Sequence, residues 1–275
     1  MKNNSIEKGI SLKFFGQIST EILKEIEQNN FDCIELSFPL NYFKEIDFIH
    51  QSEKYKKMID NYNIKIWSIH LPYGEEVDIS SLNRKIRKNA VKFYIELIQS
   101  ASKIGIKTIV LHPSYEPVLD INREKQIKNC RKSLKILNYI ANKLGMKIAV
   151  ENMPRSVLGN TSKELISILK NIKNIGICFD SNHSLKEDNI EFLKNILKNK
   201  IPIYTVHLSD YDFMEERHIL PGYGINDWKE IINLLKIMNY NGPMMYEINQ
   251  NPLGKEKVTL KQIRENQEKF ISENI

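Results

Sequence analysis

The chain has 275 residues, 41% of them hydrophobic and 27% charged, with a formal net charge of +6. That apolar share can fill a sizeable core, which excludes a disordered polypeptide, and the longest apolar runs, such as IKTIVL and MKIAV, are far too short to cross a bilayer. The lysines are dispersed over candidate helix surfaces, so net charge alone gives no argument for nucleic acid. Residues 1–15 contain no apolar stretch of signal-peptide length before the first candidate strand, and the expected location is the cytoplasm. Cys33, Cys130 and Cys178 are far apart and form no CxxC pair, which reads as reduced, inert thiols.

Short β-rich runs alternate with amphipathic stretches along the whole chain. The runs cover 9–15 (GISLKFF), 32–37 (DCIELS), 64–70 (IKIWSIH), 107–112 (KTIVLH), 147–151 (KIAVE), 175–180 (IGICFD), 203–208 (IYTVHL) and 244–248 (MMYEI). Helical periodicity covers 19–29, 52–61, 82–104, 122–143, 161–171, 190–199, 227–239 and 258–272. Thr161 or Ser162 offers an N-cap, and Asn226 or Asp227 another after the turn PGYGINDW. Gly105 and Gly145 stop helices ahead of strands, and Asn241–Gly242 reads as a similar stop. Eight strand–helix units predict an α/β fold, a single (β/α)8 TIM barrel filling residues 1–275 as one domain. A doubly wound open sheet is the alternative, but no Gly-rich phosphate loop follows an early strand.

The polar residues fall at the strand ends. His70 ends the third candidate strand, His112 the fourth, Glu151 the fifth and Asp180 the sixth. His207 lies in the seventh and Glu247 near the end of the eighth. In a barrel these positions converge on one rim, where active sites are assembled from several strands. Five of the six histidines fall in or after these strand ends, and only His50 lies elsewhere. Two glutamates, an aspartate and a histidine make a mixed oxygen and nitrogen site for a divalent ion, and a cation removes the repulsion between crowded carboxylates. Glu151, Asp180, His207 and Glu247 are therefore the expected metal ligands.

Around this core, His183 in DSNHS could face the same centre. Arg217 and His218 sit in the long loop after strand seven, where an arginine fork could hold a substrate oxygen. Glu35 and Glu116 are expected to line the pocket, with Tyr73 and Pro72 over its opening and Tyr115 as either lid or pocket residue. Trp67, Trp228, Phe14 and Phe15 read as packing residues. Arg155 is a candidate for the distal end of a phosphorylated substrate. Glu75, Glu76 and Asp78 are placed beside the mouth, where they would repel a nucleic acid backbone.

The pieces VENMP, CFDSNH, VHLSDYD…ERHILPGYGINDW and GPMMYEIN carry a resemblance to the xylose isomerase-like barrel superfamily. Within it, the chain resembles the sugar isomerase and epimerase branch, related to metal-dependent apurinic endonucleases. The resemblance implies a metal on Glu151, Asp180, His207 and Glu247, with Glu151 and Glu247 exchanging protons on opposite sides of a ketose through a metal-stabilised enediolate. It implies contacts from His183 and Arg217 to sugar oxygens; His70, His112, Tyr73, His218 and Glu35 are further candidates for substrate contact. One divalent ion is expected, Mn preferred, with Mg, Co, Fe or Zn as alternatives. The expected partner is a free or phosphorylated sugar. Nucleic acid is disfavoured, a membrane is excluded, and a homo-oligomer is compatible with the sequence. The competing implication is a trinuclear-zinc endonuclease cleaving abasic DNA, with ligands at His70, His112, Glu151, Asp180, His183, His207, Glu216, His218 and Glu247. Glu216 departs from that pattern, which has Asp there. A non-enzymatic binding protein is a third class, and it gives no reason for two opposed glutamates around a metal.

Overall fold

The computed structural model describes residues 6–252 and 257–275. The expectation drawn from residues 1–15 therefore falls in part outside the described residues, as does that of one domain over the full chain.

Eight parallel strands form one sheet in the order β7-β6-β5-β4-β3-β2-β1-β8. They are β1 Lys8–Ser11, β2 Cys33–Ser37, β3 Lys65–His70, β4 Thr108–Leu111, β5 Lys147–Glu151, β6 Ile175–Asp180, β7 Ile203–His207 and β8 Met244–Tyr246. A bridge between Leu208 and Tyr246 draws β7 to β8, so the sheet is a nearly closed barrel. No helix among the described residues is long and apolar enough to cross a membrane.

Period-two alternation sorts each strand into two faces. On β5 and β6, Ile148, Val150, Ile177 and Phe179 are wholly buried in the main core shared with the helices. Burying each such side chain contributes roughly 1.5–3 kcal/mol. The alternate positions Val110, Ala149 and Cys178 form a separate small cluster. Continuing the same alternation toward the C-terminal ends brings up Glu151 and Asp180. The pairs Asp180 with His207 and Ser37 with His70 stand at equal height in the sheet. All three cysteines are free and buried, and burial pushes the thiols of Cys33, Cys130 and Cys178 upward in pKa.

The helices are α1 Thr20–Gln28, α2 Leu40–Glu45, α3 Phe48–Ile59, α4 Arg84–Lys103, α5 Asp120–Lys143, α6 Ser162–Leu169, α7 Asn189–Lys198, α8 Trp228–Ile237 and α9 Leu260–Asn274. Thr161 caps α6 and Asp227 caps α8, each accepting a backbone N–H of the first turn. Gly105 and Gly145 adopt φ +84° and +68°, as their helix-stop role requires.

Three details differ from the sequence reading. The first strand stops at Ser11, whose hydroxyl accepts from the Lys13 N–H and starts a 3-10 turn over Leu12–Phe14; Phe14, the last residue of that turn, packs edge to face on Phe15. The short α2 lies between the candidate strand at 32–37 and the helical stretch at 52–61, where no element is expected. After α8 the left-handed residue is Asn239, φ +58°, and not Gly242. Gly242 is needed for space instead, since a Cβ there would meet the Tyr240 hydroxyl at 2.5 Å and Trp67 at 2.9 Å.

Candidate metal centre and cavity

Three carboxylates converge on one imidazole nitrogen. His207 Nδ1 lies 3.0 Å from Glu151 Oε1, 3.2 Å from Glu247 Oε2 and 3.7 Å from Asp180 Oδ2. Strand ends from β5 and β6, with the segment just after β8, supply the acids, and all four side chains are buried. Asp180 Oδ2 and Glu247 Oε2 have no hydrogen-bond partner. A buried carboxylate oxygen without a donor is costly, and two facing the same imidazole nitrogen fit a divalent cation bound among them.

The remaining polar atoms are fixed by neighbours. Asn152 locks β5 to β6 by donating to the Asp180 carbonyl at 2.8 Å and accepting the Asp180 N–H at 2.8 Å. Its own carbonyl accepts from His183 Nδ1 at 2.9 Å, which turns Nε2 toward Glu216 Oε1 at 3.0 Å. His70 Nδ1 donates to the Leu71 carbonyl at 2.9 Å, leaving Nε2 at 3.0 Å from Glu151 Oε2; His112 Nε2 lies 3.1 Å from the same oxygen. His218 Nδ1 lies 3.1 Å from the Glu247 carbonyl. Two further donor groups thus flank the centre, His70–His112–Glu151 and His183–Glu216–His218, each with ligand atoms within 4.8 Å of one another.

Burial would raise the Glu151 carboxyl, but His207, His112 and His70 around it hold it well below the usual carboxylate range. Glu247 is likewise held down against burial, by Lys13, His207 and His218. Burial opposes a charge on His207, yet the neighbouring carboxylates of Glu35, Glu247 and Glu151 push it well up. Burial takes His112 and His218 the other way, each down to about 4.

Above the centre opens a cavity of about 270 Å³. Its wall includes Lys13, Phe38, His70, Tyr73, His112, Tyr115, Arg155, His183, Glu216 and Glu247. Glu151, Asp180 and His207 lie beneath it, wholly or almost wholly buried. Tyr73 lines the cavity and stacks on His112 with ring centroids 4.3 Å apart.

Several expected site residues stand elsewhere. Glu35 is in the middle of β2 and below the cavity, where it accepts from Ser11, Ser68 and His207. Arg217 is outside the cavity wall, and its guanidinium is taken by Asp212 and Glu215, both at 2.7 Å. Arg155 reaches the rim but is held by Glu116 through two nitrogens and by Glu216. Glu75 and Glu76 lie on a separate groove with Lys44, and Asp78 turns its carboxylate to Ser80, so none guards the mouth. The long loop after β7 is held by Asp210, which accepts from Gly222, Asn226, Tyr211 and the Trp228 indole. Lys13 went unnoticed in the sequence. A lysine interrupting the apolar run at the end of the first strand was the available signal.

Fold and site together define a sugar isomerase- and epimerase-like barrel carrying candidate metal-ligating clusters. The family described as "Xylose isomerase-like TIM barrel" matches residues 23–270, and the chain belongs to it. An uncharacterized protein of Methanocaldococcus jannaschii, MJ1311, is 30% identical over 246 residues, covering 86% of this chain and 81% of that one. D-psicose 3-epimerase of Ruminiclostridium cellulolyticum is 25% identical over 236 residues, 82% of this chain and 76% of that one. A probable endonuclease 4 of Ureaplasma parvum is 26% identical over 201 residues, 64% of this chain and 62% of that one. Among solved structures, a D-tagatose 3-epimerase-like protein superimposes with a TM-score of 0.81 at 26% identity, covering 97% of both chains.

Proposed function

We propose that this chain is a divalent-metal-dependent isomerase or epimerase of a sugar, sugar phosphate or polyol-derived ketose. The observation that carries the reading is the convergence of Glu151, Asp180 and Glu247 on His207 Nδ1, beneath a small cavity that Glu247 lines. These four residues would hold the metal, with Mn preferred, and a bound divalent ion supplies Lewis-acid stabilisation to the charge that develops as a proton leaves carbon next to a carbonyl. Glu151 and Glu247 come from strands on different sides of His207, and each is held as a carboxylate at neutral pH. In this reading one removes a proton from one face of the substrate and the other returns it to the opposite face or the adjacent carbon. Tyr73 and the half-exposed Tyr115 give the cavity aromatic walls suited to a sugar-sized ligand. The epimerase names of two relatives support the same substrate class.

A second reading is favoured by the two flanking donor groups. With the central set they make three adjacent clusters, as a trinuclear-zinc endonuclease acting on abasic DNA requires, and probable endonucleases 4 are among the relatives. Displacement of Glu75, Glu76 and Asp78 from the mouth removes one argument against it. The narrow cavity and the commitment of Arg155 to two carboxylates favour a small molecule.

The test measures metal content of the purified protein, then activity on ketoses and their phosphates in deuterated water. One metal per chain with deuterium entering beside the carbonyl is expected. Three zinc ions per chain with nicking of an abasic duplex would transfer the assignment to DNA cleavage.

A further inference from the structure

Lys13 is the cation of the cavity wall that the reading above leaves without a role. It sits on the turn after β1, and Ser11 ties that turn to the buried Glu35 carboxylate. From there the ammonium crosses to Glu247 and pairs with Oε1, while Oε2 faces His207 Nδ1. Glu247 is thus divided, one oxygen toward the metal centre and the other held by Lys13. The Lys13 side chain is 32% exposed and lines the cavity, and Glu247 is its one side-chain hydrogen-bond partner among the described residues. An ammonium carries three donors, so donors are left to face a ligand.

The other basic groups on that wall are engaged. Arg155 is bound by Glu116 and Glu216, His70 and His112 by Glu151, and His183 by Glu216. A proton transferred between substrate carbon and Glu247 leaves negative charge on the neighbouring oxygen, beside Lys13. A fixed cation aimed at developing charge in a water-poor site stabilises it without reorganisation.

We propose that Lys13 is a substrate-contacting residue, its ammonium holding Glu247 with one N–H and taking an oxygen of the enediolate with another. The site then selects ligands that present two vicinal oxygens with shared negative charge beside Glu247. This rests on the metal-dependent isomerase reading. Lys13 keeps its protons throughout, and the transferred proton moves only between carbon and the carboxylate.

The probe is oxalate, a planar dianion with vicinal oxygens, titrated into the full chain loaded with Mn2+. Water-proton relaxation gives both the Mn2+ and the oxalate dissociation constants. Lys13→Met is expected to weaken oxalate roughly 10- to 100-fold with Mn2+ held at saturation, the loss of one charge-assisted hydrogen bond, with partial recovery in Lys13→Arg. Equal oxalate affinity in Lys13→Met and wild type overturns the assignment. So does a loss confined to Mn2+ affinity, which would make Lys13 a support for Glu247 alone, and so does a Mn2+-loaded wild type that ignores oxalate. If Lys13→Met does not fold, Lys13→Gln is judged by the same two constants. A wild type that binds no Mn2+ is a different result, because it defeats the metal reading itself.

Discussion

His207 Nε2 lies 3.0 Å from Glu35 Oε1, and both side chains are wholly buried. Ser11 and Ser68 donate to the same carboxylate, at 3.1 and 2.8 Å. Glu35 therefore fixes the ring so that Nδ1 points at the three acids of the centre. Such a carboxylate behind a metal-binding imidazole sets its tautomer and its basicity, and losing it typically costs 10–100-fold in metal affinity. Glu35→Gln is expected to weaken Mn2+ binding by about that factor while leaving the fold intact, read by calorimetric titration beside a circular dichroism spectrum. Wild-type metal affinity in this variant would remove the proposed role.

Glu151→Gln and Glu247→Gln should each abolish exchange of substrate protons with solvent, a loss of at least 10²- to 10⁴-fold for a missing acid or base. Both variants should also bind metal more weakly, since in the proposed centre each carboxylate supplies a charged ligand atom. Deuterium incorporation with metal supplied in excess separates the two effects. Full exchange in either variant would defeat the two-carboxylate mechanism.

The strand ends were legible because a polar residue closing an apolar run of period two has few other places to go. His70, Glu151, Asp180 and His207 reach one rim through the parallel register alone. What could not be read were the pairings within and between rim loops. Arg217 looks like a substrate clamp until Asp212 and Glu215 fold back on it, and Arg155 looks free until Glu116 and Glu216 arrive from two other loops. Lys13 was hidden for a local reason. GISLKFF has strand-like composition throughout, yet the Ser11 hydroxyl accepts the Lys13 N–H and breaks the strand early. Glu35 was misplaced by depth, because alternation gives the face a residue takes and not its height in the barrel.

Acid should destabilise the metal-free protein in a defined window. His112 is held down to about 4 by burial, against the pull of Glu151, and His218 to about 4 by burial and Lys13. In the unfolded chain both titrate near 6.5. The stability they contribute is complete above about pH 6.5 and declines as the pH falls toward 4, because there the unfolded state binds protons that the folded state refuses; the sum is on the order of 3 kcal/mol for each. His70 and His207 are shifted upward, so well below 6.5 they are protonated in both states and add no slope, while the lowered carboxyls of Glu151 and Glu247 add to the decline once the pH falls below about 5. Urea unfolding in chelator across that range should show the decline, and His112→Asn should make it shallower between about pH 6.5 and 5. An equally steep decline in the variant would contradict the assignment.

Glu216 separates the two functional readings at one atom. It touches His183 at 3.0 Å and Arg155 on its other side, and it belongs to the flanking donor group with His218. In an isomerase with one metal on Glu151, Asp180, His207 and Glu247, Glu216 is a rim residue that steadies His183. Glu216→Gln should then leave metal stoichiometry at one and Mn2+ affinity close to wild type, with the loss falling on substrate affinity. In a trinuclear enzyme the same change removes a ligand, so zinc content should fall by one and strand cleavage should collapse. Metal analysis of the dialysed variant beside wild type decides between them, and a drop in stoichiometry would count against the isomerase.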